Sequence, residues 1–425
     1  MAFSWLVLYA GLGLWFGRLD NPATLSHLDT SAIIQITSVI FALFTISIKL
    51  LNGIGLNNFR GPFLLIGLYA IWGVLTSPLS PVPALSAFKA GSLFIVVLIA
   101  IVAITIAGRK DAGRIFLNTA YLYLGTLVLL SLIGGILFPE ITHRPNKGLF
   151  KMMLVGWPAL NSNSLSFVAA TISLVGFRRF FDSRLLSNKL FYFGAFTSGF
   201  CVLLLAQGRT SIVGFFLGAL FLTFTVKRMR WIRGWFIISG FIILSVFLLT
   251  GSAGDWLDTL ETYLRRGSDD EALTSLSGRT DIWKSGWDIF LSSPIVGYGF
   301  YSAEKLGIAA HNAYLLVLIN SGIIGFTLWV GYVYWGFFGA AKDILTSKFK
   351  HNQDKQGFAA ETASILIVLL LRTITGSDLT THHYSTMILI SYLIWREIEK
   401  STAKPTRKVY AVKEKSPNYA HKINN

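Results

Sequence analysis

The chain has 425 residues, 53% hydrophobic and only 14% charged, with a formal net charge of +16. Soluble domains carry about 25% charged residues, so this chain has too little charge to cover a soluble surface, and the composition marks an integral membrane protein. The basic excess would admit nucleic acid as a partner, but its placement along the chain argues against that.

Crossing roughly 30 Å of hydrocarbon takes about 20 apolar residues. Runs that meet this requirement lie at about 3–17, 31–49, 62–78, 86–107, 115–138, 162–177, 190–207, 210–226, 234–250, 312–340, 359–377 and 382–395. They predict an all-α fold of about twelve transmembrane helices. The first stretch lacks the basic n-region and small-residue cleavage site of a signal peptide and reads as a retained span. The lone Cys201 sits in an apolar run and makes no intrachain disulfide.

Alternate connectors are basic. They carry Lys49 and Arg60, then Arg109, Lys110 and Arg114, then Arg178, Arg179, Arg184 and Lys189. Lys227, Arg228, Arg230 and Arg233 follow, then Lys342, Lys348, Lys350 and Lys355, and the tail from Arg396 onward. The positive-inside rule places this set, and both termini, in the cytoplasm. The charge is therefore a topology signal, with membrane lipid and not nucleic acid as its partner.

The outer face receives two substantial loops, 139–161 and 251–311, the second lying between the ninth and tenth spans. The chain thus divides into a nine-helix region (1–250), an outer loop (251–311), three further helices (312–397) and a basic tail (398–425). Within the long loop, "DWLDTLETYLRRG" and "GRTDIWKSGWDIFLSS" space Trp, Leu and Ile like short amphipathic helices at a membrane surface. "GSDDEALTSLSG" between them reads as a connector, and its acids Asp269, Asp270 and Glu271 as solvated side chains before metal ligands.

Four positions stand out chemically. Arg209 lies in the tight turn "LLLAQGRTSIVGFF", beside Gln207, Gly208 and two hydroxyls; it is either a snorkelling arginine or part of an anion site. Arg279 opens the "TDIWKSGWDIF" helix, where free N–H groups favour an anion and a guanidinium adds a planar fork; alternatively it pairs with Asp281. His311, followed by Asn312, begins an apolar helix; a cap and a general base are both open to it. His27, His143, His382 and His383 are rivals. Arg372 lies inside a predicted span and either lines the same cavity or pairs with Asp378. Trp283 and Trp287 either anchor the loop at the interface or stack on sugar. No Walker loop and no metal-spaced His/Cys set occurs in the sequence.

"QGRTSIVGF", "SGRTDIWKSGWDIF", "SSPIVGYG" and "AHNAYLLVLINSGIIG" resemble the signature of the O-antigen ligase and polymerase family of bacterial envelopes, over about residues 195–330. The resemblance implies a GT-C-like, inverting, metal-independent membrane glycosyltransferase needing no cofactor. It would sit in the bacterial inner membrane with its active site facing the periplasm. Its donor would be a glycan on undecaprenyl pyrophosphate. The acceptor would be a hydroxyl of the lipid A core in a ligase, or another lipid-linked repeat in a polymerase. It further implies that Arg209 and Arg279 bind the pyrophosphate and that His311 is the base, with Gln207, Asn312 and Arg372 as supporting candidates. A secondary transporter or flippase is the competing class. Its substrate site would be expected near the midplane, whereas these polar residues gather at the outer face.

Overall fold

The structure, a computed structural model, describes residues 2–13, 30–107, 112–145, 152–155, 161–234, 238, 279–308, 311–345, 353–381 and 383–403. The elements are α1 (Ala2–Gly13), α2 (Thr30–Leu51), α3 (Pro62–Thr76), α4 (Pro83–Ile106), α5 (Ala112–Leu137) and the single turn α6 (Pro139–Thr142). A small antiparallel ribbon follows, β1 (His143–Pro145) with β2 (Met152–Leu154), pairing His143 with Leu154. Then come α7 (Ser162–Asp182), α8 (Leu186–Ala206), α9 (Arg209–Thr225), α10 (Arg279–Ser292), α11 (Ser302–Lys305), α12 (Ala313–Leu345), α13 (Gln353–Thr375) and α14 (Tyr384–Ala403).

Local chemistry sets several helix starts. Pro62 and Pro83 stand in the first turns of α3 and α4, where a missing N–H costs nothing. Asn161 caps α7, its Oδ1 accepting from the Ser164 amide at 2.6 Å. Small residues then let backbones close up, as lipid-embedded helices require. A Cβ on Gly176 would lie 2.5 Å from the Phe196 amide nitrogen, and one on Gly199 would lie 2.6 Å from Ser173 Oγ, so α7 and α8 pack backbone to backbone. Gly214 and Gly218 of α9 face Val368 and Ser364 of α13 in the same way.

The middle of the molecule is formed by α4 and α14, each buried on nearly all sides. Ile99–Val102 and Met387–Ile390 are wholly inaccessible, the mark of a helix surrounded by helices. Trp5 of α1 donates its indole N–H to Ser391 Oγ of α14 at 3.1 Å.

Eight described helices are long and apolar enough to cross a membrane, and the bent pair Arg209–Thr225 and Lys227–Gly234, at 105°, brings the figure up to 9. Together with the family match reported below, this makes the chain an all-α integral membrane protein. The expected number of twelve is not reached among the described residues, for three reasons. The run at 3–17 yields α1, only 12 residues long. Most of the run at 234–250 and the loop segment 251–278 lie outside the described residues, as do His27, His382 and the tail beyond residue 403. The run at 382–395 becomes α14, which carries Arg396, Glu397, Glu399 and Lys400 in its final turns.

The expected span at 312–340 is α12, long and apolar enough to cross a membrane, but it carries a kink. Gly322 (φ 60°, ψ −169°) breaks α12 into a short arm, Ala313–Ser321, and a long segment beyond it. The Pro294 carbonyl accepts from the Ile323 amide at 2.9 Å, capping the second piece. The arm packs with α10 and α11 through Phe290, Ala303, Ile308, Leu315, Leu316 and Ile319, a core separate from the main one. His311 therefore lies just before this short arm.

The two ends of the bundle differ. At one end, Glu361 receives Arg179 at 2.9 Å and Arg178 at 3.3 Å, Arg396 meets Asp343 at 2.5 Å, and Lys355 meets Glu399. These residues belong to the basic connectors. Arg209, Thr375 and Thr76 lie at the opposite end: Thr210 and Thr375 share a hydroxyl hydrogen bond at 2.9 Å, and α3 runs antiparallel to α12, with Trp72 Nε1 donating to the Ser321 carbonyl at 2.9 Å.

Candidate active site

Arg209 is the first residue of α9, and Gly208 before it gives the helix no side-chain cap. The first amides of α9 thus receive no side-chain cap from Gly208, at a point where the helix dipole favours negative charge. The turn is made by Gln207, buried and left-handed at φ 51°. Gly208 is pressed onto α7: a Cβ there would lie 2.0 Å from Ser166 Oγ. Ser166 Oγ in turn shares a hydrogen bond with Ser211 Oγ at 3.0 Å. Gln207 thus shapes the turn that presents Arg209.

Arg372 is buried and pairs with Asp378, its Nε and Nη2 reaching Oδ2 at 2.9 and 2.8 Å. Its Nη1 donates to the Asn163 carbonyl at 2.6 Å and to Ser211 Oγ at 3.3 Å. The guanidinium ties α13 to the starts of α7 and α9. This resolves the open alternative for Arg372 toward the pair with Asp378, directly behind the turn that carries Arg209.

Asp378 lies in a stretch of non-helical backbone, 376–381, set into the bundle. The Leu379 carbonyl accepts from Trp329 Nε1 at 2.7 Å and from Tyr332 Oη at 2.6 Å, while the Thr380 carbonyl accepts from Tyr69 Oη at 3.0 Å. Irregular backbone at such depth is tolerated where protein groups satisfy it or where it lines a cavity.

The second wall is built from α10 and the α12 arm. Arg279 is the first residue of α10. His311 has φ 44° and is exposed, and Asn312 caps the arm, its Oδ1 accepting from the Leu315 amide at 3.1 Å. Asn312 is thereby engaged as a helix cap. The two helices run side by side, with Gly286 against Leu315 and Ile319. A groove of about 460 Å³ lies between them, walled by Trp283, Lys284, Trp287, Asn312, Tyr314, Leu315 and Leu318. Trp283 is one turn from Arg279, so the backbone places Arg279 and His311 at the same end of this pair.

Other expectations divide. His143 sits in the β-ribbon, with Nδ1 3.2 Å from Thr142 Oγ1 and 3.3 Å from the Pro139 carbonyl. His383 stands just before α14, close after the inset backbone. Among the described residues no group of three or more His, Cys, Asp or Glu is placed to hold a metal.

The sequence reading missed Lys89, Gln35, Tyr301 and Glu304. Lys89 lies within the predicted span 86–107, so the rule that flagged Arg372 applied to it equally. Its Nζ donates to Gln35 Oε1 at 3.1 Å and stands 5.7 Å from the Tyr301 ring centroid. Glu304, on α11, lies at the accessible surface; desolvation pushes its carboxyl up to about 7, with Lys89 pulling the other way. The segment holding Tyr301 and Glu304 is fixed over the α3–α4 turn: Ser302 Oγ donates to Ser80 Oγ at 3.0 Å, and Phe300 packs on Tyr69 at 4.8 Å.

Comparison with known proteins gives this site a context. Residues 193–330 match the family described as O-antigen ligase. A 135-residue stretch is 24% identical to the exopolysaccharide production protein ExoQ of Rhizobium meliloti (strain 1021), covering 27% of this chain and 30% of that relative. The matched part is thus under a third of the relative's length. The family match contains Arg209, Arg279, His311 and both walls of the groove. The segment 193–330 of this multi-helix membrane protein is therefore similar to the family described as O-antigen ligase.

Proposed function

We propose that the chain is a membrane glycosyltransferase that takes a glycan from an undecaprenyl-pyrophosphate-linked donor and passes it to a sugar hydroxyl. The observation that carries this reading is the start of α9 in the family segment: an arginine at the first helical position, without a side-chain cap before it. That arrangement suits a diphosphate, because helix amides, dipole and guanidinium favour the same ligand.

The chemistry follows from the leaving group. Diphosphate departs as a stable anion, so protonation of the bridging oxygen is not required. Arg209 and Arg279 would carry the charge that develops on it. The acceptor oxygen forms the new bond to the anomeric carbon as the carbon–oxygen bond to diphosphate breaks, which inverts that centre. Its proton passes to His311, imidazole being the side chain suited to accepting a proton near neutral pH. Trp283, Trp287 and Tyr314 offer flat apolar faces beside Asn312, suited to a sugar ring. No step requires a metal or cofactor.

The orientation belongs to the same proposal. The bundle end with the basic connectors lies in the cytoplasm, and the site faces the periplasm of an inner membrane. The ligase reading takes a lipid A core hydroxyl as acceptor. The relative's name, exopolysaccharide production, favours a second reading in which the acceptor is another lipid-linked repeat. The test is to give the purified chain an undecaprenyl-pyrophosphate-linked glycan, with and without lipid A core. A product of summed glycan mass without core supports polymerisation, and one appearing only with core supports ligation. Movement of unchanged donor across the bilayer would mark a flippase instead.

A further inference from the structure

The groove between α10 and the arm of α12 holds a charge as well as aromatic faces. Trp283 and Trp287 line it one helical turn apart, about 5.4 Å along the axis, a spacing close to the length of one pyranose. Tyr314 and Leu318 close the other side. Lys284 stands in the same wall and is exposed. Asp281 lies three residues before it and Asp288 four residues after it on α10, yet Lys284 forms no ion pair among the described residues. Asn312 spends its Oδ1 on capping the arm, and its Nδ2 makes no hydrogen bond among the described residues, so two N–H donors are left for a ligand. A groove of apolar faces alone would suit a lipid tail. An ammonium and an amide set among aromatic rings suit a sugar: its C–H face lies on the rings, a hydroxyl meets the amide and an anionic group meets the ammonium.

The groove also has a direction. Asn312 follows His311 directly, and Trp287 lies eight residues beyond Arg279, about 12 Å along α10. The groove therefore leads away from the end at which Arg279 and His311 are placed.

We propose that this groove receives the acceptor, and that the acceptor is a saccharide bearing an anionic group. Trp283 and Trp287 carry its rings, Asn312 holds a hydroxyl and Lys284 meets the anion. The role of acceptor rests on the glycosyltransferase reading. In an inverting displacement the attacking oxygen enters opposite the leaving diphosphate, on the side of the group that takes its proton. The saccharide oxygen bonds to the anomeric carbon, the diphosphate leaves with the electron pair of the broken bond, and the proton goes to His311.

The test compares tetragalacturonate with its methyl ester, the same saccharide with and without carboxylate charge, binding to the purified full chain in phosphatidylcholine nanodiscs. The parent should prefer tetragalacturonate by about two- to fivefold, the usual worth of an exposed charge pair, and salt at about 1 M should erase the preference. Lys284→Gln should lose the preference but keep its affinity for the ester, and Lys284→Arg should keep both. Trp287→Ala should weaken both ligands by about two- to tenfold. A parent without the preference, or a Lys284→Gln protein that retains it, overturns the proposal. Undecaprenyl pyrophosphate bound beforehand should leave saccharide binding intact; exclusion of the saccharide would give the groove to the donor lipid and overturn the proposal as well. Transfer from an undecaprenyl-pyrophosphate-linked glycan is measured on the same protein, and tetragalacturonate should slow it. If transfer proceeds and the saccharide does not bind, the inference on the groove fails while the transferase reading stands. If binding is charge-selective but no glycan is transferred, the transferase reading fails and the acceptor role with it.

Discussion

Among the described residues, four non-glycine residues adopt left-handed backbone: Gln207, Tyr301, His311 and Leu379. Such conformations are uncommon and hold only where surroundings fix them. Each lies at the candidate site: before Arg209, at the start of the helix holding Glu304, at the proposed base, and beside Asp378. If Arg209 carries developing charge, Arg209→Ala should lower transfer by about 10²–10³-fold, the usual loss for one preorganised donor. Lysine should restore little, lacking the planar fork. Comparison of single-turnover rates for the three proteins checks this. Arg372 should behave differently, as a brace. Arg372→Ala leaves Asp378 buried without its partner, a change typically costing about 3–5 kcal/mol. Asp378→Asn in the same chain should recover part of that loss, read as thermal unfolding in detergent. Equal melting of the parent and Arg372→Ala would remove the brace from the account.

At the scale of elements, the tight packing of the α8–α9 turn makes a specific prediction. Gly208→Ala drives a methyl into Ser166, whose Oγ and Cβ lie 2.0 and 2.5 Å from the ideal Cβ position. Arg209 must then shift, so transfer should fall by at least roughly tenfold, since displacements near 1 Å cost about a hundredfold. Adding Ser166→Gly removes the obstacle and should restore part of the rate. Failure of the second change to help would mean that the turn does not position Arg209. The α12 kink was harder to anticipate than this turn. "QGR" announces a break between two apolar runs, because Gln and Arg are polar and Gly disfavours a continuous helix. "INSGIIGF" offers no such interruption. The break at Gly322 comes from tertiary contacts, with the backbone of Ile295 and Val296 occupying the space where a side chain would stand. Apolar periodicity could not report it, and the sequence reading therefore placed no kink in this span.

At the scale of the molecule, eight of the predicted runs correspond to long apolar helices, because hydropathy over about 20 residues reads directly as a span. The site was legible in part. Arg209, Arg279 and His311 sit in motifs with local turn chemistry. Lys89 and Tyr301 are far apart in sequence, and only the packing of Phe300 and Ser302 onto the α3–α4 turn brings them together. The proposed orientation has its own check. In a chain with exposed Cys201 replaced by serine, a cysteine at Ser268 should react with an impermeant thiol reagent in cells whose outer barrier alone is opened. Reaction only after lysis would reverse the topology. The central claim, transfer from a lipid-linked diphosphate with His311 as base, is tested most directly by measuring donor binding and turnover on the same purified His311→Gln protein. Glutamine keeps a hydrogen-bonding group but cannot take the proton. The account predicts donor affinity close to the parent's and turnover lower by about 10²–10⁴-fold, the usual worth of a positioned base. Turnover equal to the parent's would contradict it and leave His311 as a structural residue.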